Sequence, residues 1–236
     1  MAAKEKRSVL AVSDGIGTEK MDLLATERPL TITVNGHFCA VLLASPNHLD
    51  ELALGYAFNE GLISKADDLC SLTFLDDDTR AEIVTKNLGE GAGPGAELPG
   101  DCCLTPGKIC ALMGDFFRAS ALFRETGAVH AAALAGEEIV LFREDVARHN
   151  AIDKLAGRLL LTGGQAGPLS LLLSGRITGQ VVKKACRMGI GLVISPGAAS
   201  TLAVDLAAEA GLTLVGFARE KRFNVYCHSW RVQLDK

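Results

Sequence analysis

From residue 129 to the C-terminus, short apolar runs alternate with amphipathic segments, and that alternation restricts the fold more than any other feature of the sequence. Strands are expected at 129–134, 139–142, 169–174, 192–195, 212–217 and 223–226. Helices are expected between them at 146–161, 178–188 and 201–210. Short apolar strands alternating with amphipathic helices imply a sheet covered on both faces. The opening hairpin over 129–142 makes that sheet mixed rather than purely parallel.

The first half follows a different rhythm. Leu30, Ile32 and Val34 alternate with Thr31 and Thr33, and Asn35-Gly36 marks a hairpin turn with a return strand from Cys39 to Leu43. Pro46 and Asn47 open a helix with Leu49, Leu52, Ala53 and Tyr56 on its apolar face and Asp50 and Glu51 in its first turn; Gly61 stops it. Two further strands, at 69–75 and 81–86, are joined through Asp76-Asp77-Asp78. Over 89–100 the chain turns rich in glycine and proline. The glycine spacing imitates a phosphate-binding loop, but Pro94 and Pro99 interrupt it and no Lys-Ser/Thr pair follows, so a linker is expected. A helix with Ile109, Leu112, Met113 and Phe116 on one face begins near Lys108. The expected organisation is an N-terminal α+β subdomain over 1–88, a linker and cysteine loop over 89–107, and an α/β domain over 108–236.

With 236 residues, 48% hydrophobic and 22% charged, the chain can bury one substantial core and a satellite, and it has no disordered character. A formal net charge of −4 argues against a nucleic-acid partner. Ser13 and Asp14 interrupt the apolar run at 9–12, and no run reaches the roughly 18–20 residues needed to span a bilayer. A cytoplasmic protein is expected. The seven cysteines, odd in number and scattered, do not form a disulfide framework. Three of them, Cys102, Cys103 and Cys110, fall within nine residues. That cluster points to a reactive thiol in the loop 101–110 that handles sulfur.

In open α/β sheets, ligands bind beyond the carboxyl ends of the strands. Three such junctions carry glycine, hydroxyl or cationic residues: Ser174-Gly175-Arg176, then Ser195-Pro196-Gly197 through Thr201, then Phe217-Ala218-Arg219-Glu220-Lys221-Arg222. Together they suit an anionic, nucleotide-like ligand. The densest polar segment runs from Arg143 to Lys154. An N-cap explains Asp145, but not Arg148, His149, Asn150, Asp153 and Lys154 together. At helical spacing His149 shares a face with Asp153, and Asn150 with Lys154; one face meets the ligand or, alternatively, forms structural salt bridges. His130 followed by Ala132 resembles a deaminase H-x-E with the glutamate missing, and the chain has no C-x-x-C, so deamination would lack its general acid/base.

These segments together resemble the FdhD/NarQ family of formate dehydrogenase accessory sulfurtransferases. The resemblance runs through Glu27-Arg28-Pro29-Leu30, Val34-Asn35-Gly36, Glu51-Leu52-Ala53-Leu54-Gly55 and Glu60-Gly61. It resumes at Thr126-Gly127, His130-Ala131-Ala132, Arg143-Glu144-Asp145-Val146, Arg148-His149-Asn150-Ala151 and Asp153-Lys154. It closes with Ser174-Gly175-Arg176, Lys184-Ala185, Leu202-Ala203, Gly211 to Phe217 and Arg222 to Tyr226. It implies a cytidine-deaminase-like three-layer α/β sandwich with a mixed sheet, plus the smaller N-terminal subdomain.

It also implies a cysteine that accepts sulfur from a cysteine desulfurase and passes it to a molybdenum (or tungsten) bis(molybdopterin guanine dinucleotide) cofactor destined for formate dehydrogenase. A homodimer is the family expectation, and no permanently bound metal. The cofactor site would comprise Phe217, Ala218, Arg219, Glu220, Lys221, Arg222, His130, Arg148, His149, Asn150, Lys154, Ser174 and Arg176. Two departures stand out. Ala147 replaces the glycine of the family's E-D-V-G-R-H-N. Where the family shows C-G-x-C-G-K, alignment on Gly107-Lys108 puts Cys103 at the first cysteine and Pro106 at the second, while a shift of one selects Cys102. Cys110 is a third candidate thiol. Lys108 and the following helix N-terminus would favour the thiolate. The alternatives are a cofactor-binding chaperone without sulfur chemistry, and a zinc module built from Cys102, Cys103, Cys110 and His130.

Overall fold

A computed structural model describes residues 2–86, 98, 102–164 and 166–234. The expected linker over 89–107 lies outside the described residues except for 98 and 102–107.

The chain begins with a two-stranded arm, β1 (Lys4–Ser13) paired antiparallel with β2 (Ile16–Ala25), in register from Lys4 opposite Ala25 to Ser13 opposite Ile16. Asp14 and Gly15 turn it with positive φ at both positions, as a two-residue primed turn requires. In the sequence Asp14 stands out as a break in an apolar run. The same Asp-Gly pair was the hairpin signal.

The second unit is a four-stranded sheet in the order β4-β3-β6-β5, built from β3 (Arg28–Val34), β4 (His37–Ala44), β5 (Leu69–Leu75) and β6 (Arg80–Thr85). Asn35-Gly36 makes the expected turn, and β3 runs parallel to β6. Leu30, Ile32, Val34, Ala81 and Ile83 all point to one face, where α1 (Leu49–Asn59) lays Leu52, Ala53, Leu54 and Ala57 on them. Alternation with period two on the strands thus puts every large aliphatic group under the helix.

After α2 (Pro106–Ala119) and α3 (Ala121–Thr126) come β7 (His130–Ala135), β8 (Ile139–Asp145), α4 (Arg148–Thr162), β9 (Ser170–Leu173), α5 (Gly179–Arg187), β10 (Leu192–Ile194), α6 (Thr201–Ala210), β11 (Thr213–Arg219) and β12 (Arg222–Cys227). The six strands form one mixed sheet, β12-β11-β10-β9-β7-β8, with β9, β10 and β11 parallel to one another. Alternation again sorts the core. Ala132, Leu134, Leu171, Leu173, Val193 and Leu214 face α4, α5 and α6. Ala131, Ala133, Ala135, Leu172, Ile194 and Val215 face α2. The result is the expected three-layer mixed α/β sandwich. The short α3 had not been expected; a side chain far along the sequence holds it, since Glu144 accepts Ser120 Oγ and the Leu122 and Phe123 N–H groups.

The two sheets meet through α1 and α4, and the contact is backbone on backbone. A Cβ added at Gly55 would lie 1.7 Å from the Asp153 carbonyl oxygen, and one at Gly157 would lie 1.8 Å from that of Glu51. Only glycine permits this approach. Buried ion pairs flank the crossing. Arg143 grips Glu51 bidentately at 2.5 and 2.6 Å, Lys154 meets Asp145 at 2.6 Å, and Lys184 meets Asp153 at 2.6 Å. Asn59 adds a hydrogen bond to Asp153, and Arg187 donates to the carbonyls of Phe58 and Ile63. Gly157→Ala is therefore expected to destabilise the protein by about 3 kcal/mol or more, at the upper end of overpacking costs. A urea melt that places the variant within 1 kcal/mol of the parent, on that same scale, would show that the helices part without penalty.

Candidate functional site

The carboxyl ends of β9, β10 and β11 lead into three loops that lock together through their backbones. Ser195 Oγ donates to the Gly175 carbonyl at 2.5 Å and accepts the Gly197 N–H at 3.0 Å. Gly197 sits on the backbone of Arg176, where a Cβ would come within 3.0 Å, and its carbonyl accepts the Phe217 N–H. Ile177 and Ala199 form a parallel bridge beside them. Phe217 holds a left-handed backbone, φ 53, which turns its ring outward at the strand end. The sequence places Ser195 and Gly197 in a strand-end junction suited to an anion, and the structure shows them bonded into the neighbouring loops. Their packing makes this strand end rigid.

On that platform the structure gathers His130, Arg148, His149, Ser174 and Gly175. His130 Nδ1 lies 3.1 Å from Ser174 Oγ, which also accepts the Ala131 N–H at 2.9 Å. The Arg148 side chain crosses Gly175, where a Cβ would fall 3.2 Å from its Cδ. Among the described residues, three buried polar atoms here have no partner: Arg148 Nε, His149 Nδ1 and Thr178 Oγ1. Unpaired buried polar groups are costly, so this cluster calls for ordered water or a ligand to complete it. Thr178 was not among the expected residues. It stands immediately before α5, but makes no side-chain cap bond.

Burial pushes the His149 imidazole down to about 4, and Arg148, Lys184 and His130 add to the effect. Burial and then Arg148 also lower His130. The pocket therefore holds neutral imidazoles around a guanidinium, an arrangement that accepts an anion. Arg176 is exposed at the rim, and Arg219 is anchored there by a bond from its Nε to the Pro196 carbonyl. Glu220, Lys221 and Arg222 are exposed in the β11–β12 turn. Ala218 brings no free group, because its methyl is buried and its N–H donates to the Ser195 carbonyl.

Asn150 and Lys154 do not belong to this set. Asn150 donates to the Leu43 carbonyl and to Asp145. Lys154 is fully buried, paired with Asp145 and hydrogen-bonded to Ser45 O, Asn47 Oδ1 and Glu144 O. These two, expected as cofactor ligands, fasten the two sheets together. Asp145 is not the N-cap either. Ala147 holds that position, and Asp145 accepts its N–H.

Beside His130 a cavity of about 360 Å³ opens between α2, α3 and the strand end, lined by Phe116, Phe117, Phe123, Val129, Val146 and Ser174 among others. The cysteines lie at the other end of α2. Its 14 residues span about 21 Å at 1.5 Å each, and its N-terminus adjoins the β7–β8 turn, where Lys108 Nζ is held by the Glu137 carbonyl and carboxylate. Lys108, expected to favour a thiolate, is thus committed elsewhere. Cys102 is buried with Leu104 in the core under α2, and burial pushes its thiol up to about 11. Cys103 is half-buried and reachable. Leu104 fixes both by a two-way backbone pairing, its N–H donating to the Arg231 carbonyl and its own carbonyl accepting the Gln233 N–H. His130 and Cys102 therefore sit at opposite ends of the sheet, and among the described residues no three acidic, histidine or cysteine side chains come together as metal ligands.

A sequence model of the FdhD/NarQ family matches residues 25–92 and 88–233. The chain is 33% identical to a sulfur carrier protein FdhD from Staphylococcus haemolyticus, with 96% of each covered. It is 34% identical to a protein of the same name from Geobacillus kaustophilus, with 98% of this chain and 97% of the relative covered. A solved structure from Desulfotalea psychrophila, described as a candidate formate dehydrogenase accessory protein, superposes with a TM-score of 0.88 at 27% identity, covering 98% of this chain and 100% of that one.

The lowered His149 gives a testable pH dependence. Its ordinary midpoint is 6.5, and in the fold it is about 4. Between those values the unfolded chain binds the extra proton, so this residue's contribution to stability falls as pH drops from about 6.5 to about 4. His149→Gln is expected to lose less stability than the parent between pH 7.5 and pH 5, measured by urea midpoint at both. Parallel losses in the two proteins would show that this imidazole is not held neutral.

Proposed function

The chain belongs to the FdhD/NarQ family, and we propose that Cys103 carries sulfane sulfur from a cysteine desulfurase to a guanine-dinucleotide molybdenum (or tungsten) cofactor bound for formate dehydrogenase. The relatives named above as a sulfur carrier and a formate dehydrogenase accessory support the general role. The observation that carries the specific reading is a reachable thiol on the same sheet as a pocket of unpartnered polar groups fitted to an anion.

In the loading step, the Cys103 thiolate attacks the outer sulfur of the donor's cysteine persulfide. A new S–S bond forms on Cys103, the donor's S–S bond breaks, and the donor cysteine leaves as a thiolate. No outside oxidant or reductant is needed. The client is a substrate. Its phosphate groups match Arg148, His149, Thr178 and the rim residue Arg176, with Phe217 and Arg219 flanking them. His130 and Ser174 border the apolar cavity beside that anion site. This chemistry suits the cytoplasm, where thiols stay reduced.

A homodimer is part of this reading. Leu10, Val12, Ile16 and Met21 stand 60–71% exposed on the β1–β2 arm, and an isolated two-stranded hairpin is marginal in water. Sedimentation should show a dimer that Leu10→Lys with Val12→Lys dissociates; a monomeric parent would remove this element.

A second reading is an escort that binds the cofactor without carrying sulfur. The placement of thiol and pocket at opposite ends of α2, a helix about 21 Å long, favours it. The two readings are separated by incubating the protein with a cysteine desulfurase and cysteine, mapping persulfide by mass spectrometry, and titrating GDP alongside. Label on Cys103 that is lost in Cys103→Ser is the expected result, with GDP affinity weakened about tenfold or more by Arg148→Met, the scale for losing one charge-assisted contact. GDP binding with no label on any cysteine would leave only the escort.

A further inference from the structure

Arg231 is 2% exposed, in a short turn between β12 and the C-terminus. Its guanidinium carbon lies 3.8 Å from the centroid of the Trp230 ring on one side. On the other side it rests on Gly191, where a Cβ would come within 3.0 Å of Cζ, Nε and Nη2. Nη1 donates to the Gly211 carbonyl at 2.6 Å and to Thr213 Oγ1 at 3.2 Å, while Nε has no partner. Among the described residues no carboxylate pairs with it within ion-pair distance. A buried cation needs compensating groups around it, so the neighbours that face it matter.

Three thiols stand near enough for their charge to be felt there. Cys103, Cys102 and Cys227, in that order of strength, are the groups whose charge would favour the guanidinium. The backbone enforces the meeting, because the Arg231 carbonyl takes the Leu104 N–H and thereby places the 102–103 segment along the Arg231 turn. Cys102 is a poor anion here, since burial holds its thiol up at about 11 even with Arg231 beside it. Cys227 is pushed up by burial and donates its thiol to the Leu212 carbonyl at 3.1 Å. Lys108, the other cation of this segment, is held by Glu137. Cys103 is the remaining thiol, and it is half-exposed.

From this arrangement we infer that Arg231 is the positioning counter-charge for an anionic sulfur on Cys103, thiolate before loading and persulfide after. The role deepens the sulfur-carrier reading and rests on it. It assigns to the C-terminal turn the charge that the second cysteine position, occupied here by Pro106, and the engaged Lys108 do not supply. Trp230 and Gly191 hold the guanidinium plane in place. A fixed cation beside a cysteine favours the thiolate and so its nucleophilic attack.

The test reads local charge at Cys103 directly. In the unmodified full-length protein, the alkylation rate by anionic iodoacetate is divided by the rate with neutral iodoacetamide, site by site, by mass spectrometry. A nearby cation raises that ratio, so it should be several-fold higher at Cys103 than at the exposed Cys70. A ratio no higher than at Cys70 would overturn the assignment. In the variants, Arg231→Gln should lower the iodoacetate-to-iodoacetamide ratio at Cys103 several-fold, and Arg231→Lys should recover most of it. Both substitutions disturb the bonds to Gly211 and Thr213, so an equal fall in the ratio with Gln and Lys would mean a purely structural role. Because alkylation needs no desulfurase, these outcomes stand apart from persulfide loading. Label that persists in Cys103→Ser would remove the sulfur-carrier reading of this thiol and leave the charge measurement intact.

Discussion

Where α1 crosses α4, two helix backbones touch at Gly55 and Gly157, and most of the molecule's polar architecture is arranged around that contact. Bringing the helices so close leaves no room for side chains at the centre, so the helix faces beside it must be satisfied by charge. Glu51 with Arg143, Asp145 with Lys154, and Asp153 with Lys184 and Asn59 are the consequence. A buried pair contributes little net energy over an apolar substitute, but removing one partner leaves a bare charge and costs several kcal/mol. Such a seam specifies one docking geometry far better than apolar contacts alone. It also fixes Arg148 and His149, which begin α4 and look out at the strand-end pocket from the far side of the same helix turn.

That arrangement explains which parts of the sequence could be read and which could not. Periodicity made the larger sheet legible, because alternate residues such as Ala131 and Ala132 go to opposite cores. Asn35-Gly36 was legible for its turn, and Asp14-Gly15 carried the same local signal. The Arg143–Lys154 string was conspicuous, but its chemistry was ambiguous: spacing shows that Asn150 and Lys154 share a face and does not show what covers it. Leu43, Ser45 and Asn47, about a hundred residues earlier, cover it. Thr178 and Arg231 lacked any pattern of their own, since their significance lies in atoms left unpaired by neighbours distant in the chain.

The thiol end and the anion end are opposite in physical character, and the difference suits a carrier. At the strand ends, interlocked loops present fixed donors and an imidazole kept neutral by its surroundings, so an incoming anion finds its partners already oriented. At the other end Cys103 lies between two buried residues, Cys102 and Leu104, on the segment whose backbone pairs with the Arg231 turn. Its backbone is tied down while its side chain remains reachable. On the proposed carrier reading, a sulfur held there would be displayed at the surface rather than sheltered in a cleft.

α2 joins these ends. Its buried face of Ile109, Leu112, Met113 and Phe116 packs on the sheet, so it behaves as a strut. Leu104 is locked to Val232, so moving Cys103 toward His130 would first break that bridge and then draw buried Leu104 and Cys102 out of the core. At about 25 cal/mol per Å² of apolar surface, exposing those two side chains costs on the order of several kcal/mol. The thiol therefore does not swing along its own subunit as a cheap fluctuation. On the proposed carrier reading, sulfur on Cys103 would therefore pass to a client that reaches the amino end of the sheet, or to the site of a second copy brought there by association. The exposed apolar arm of β1 and β2 is the element of this chain that such association would cover.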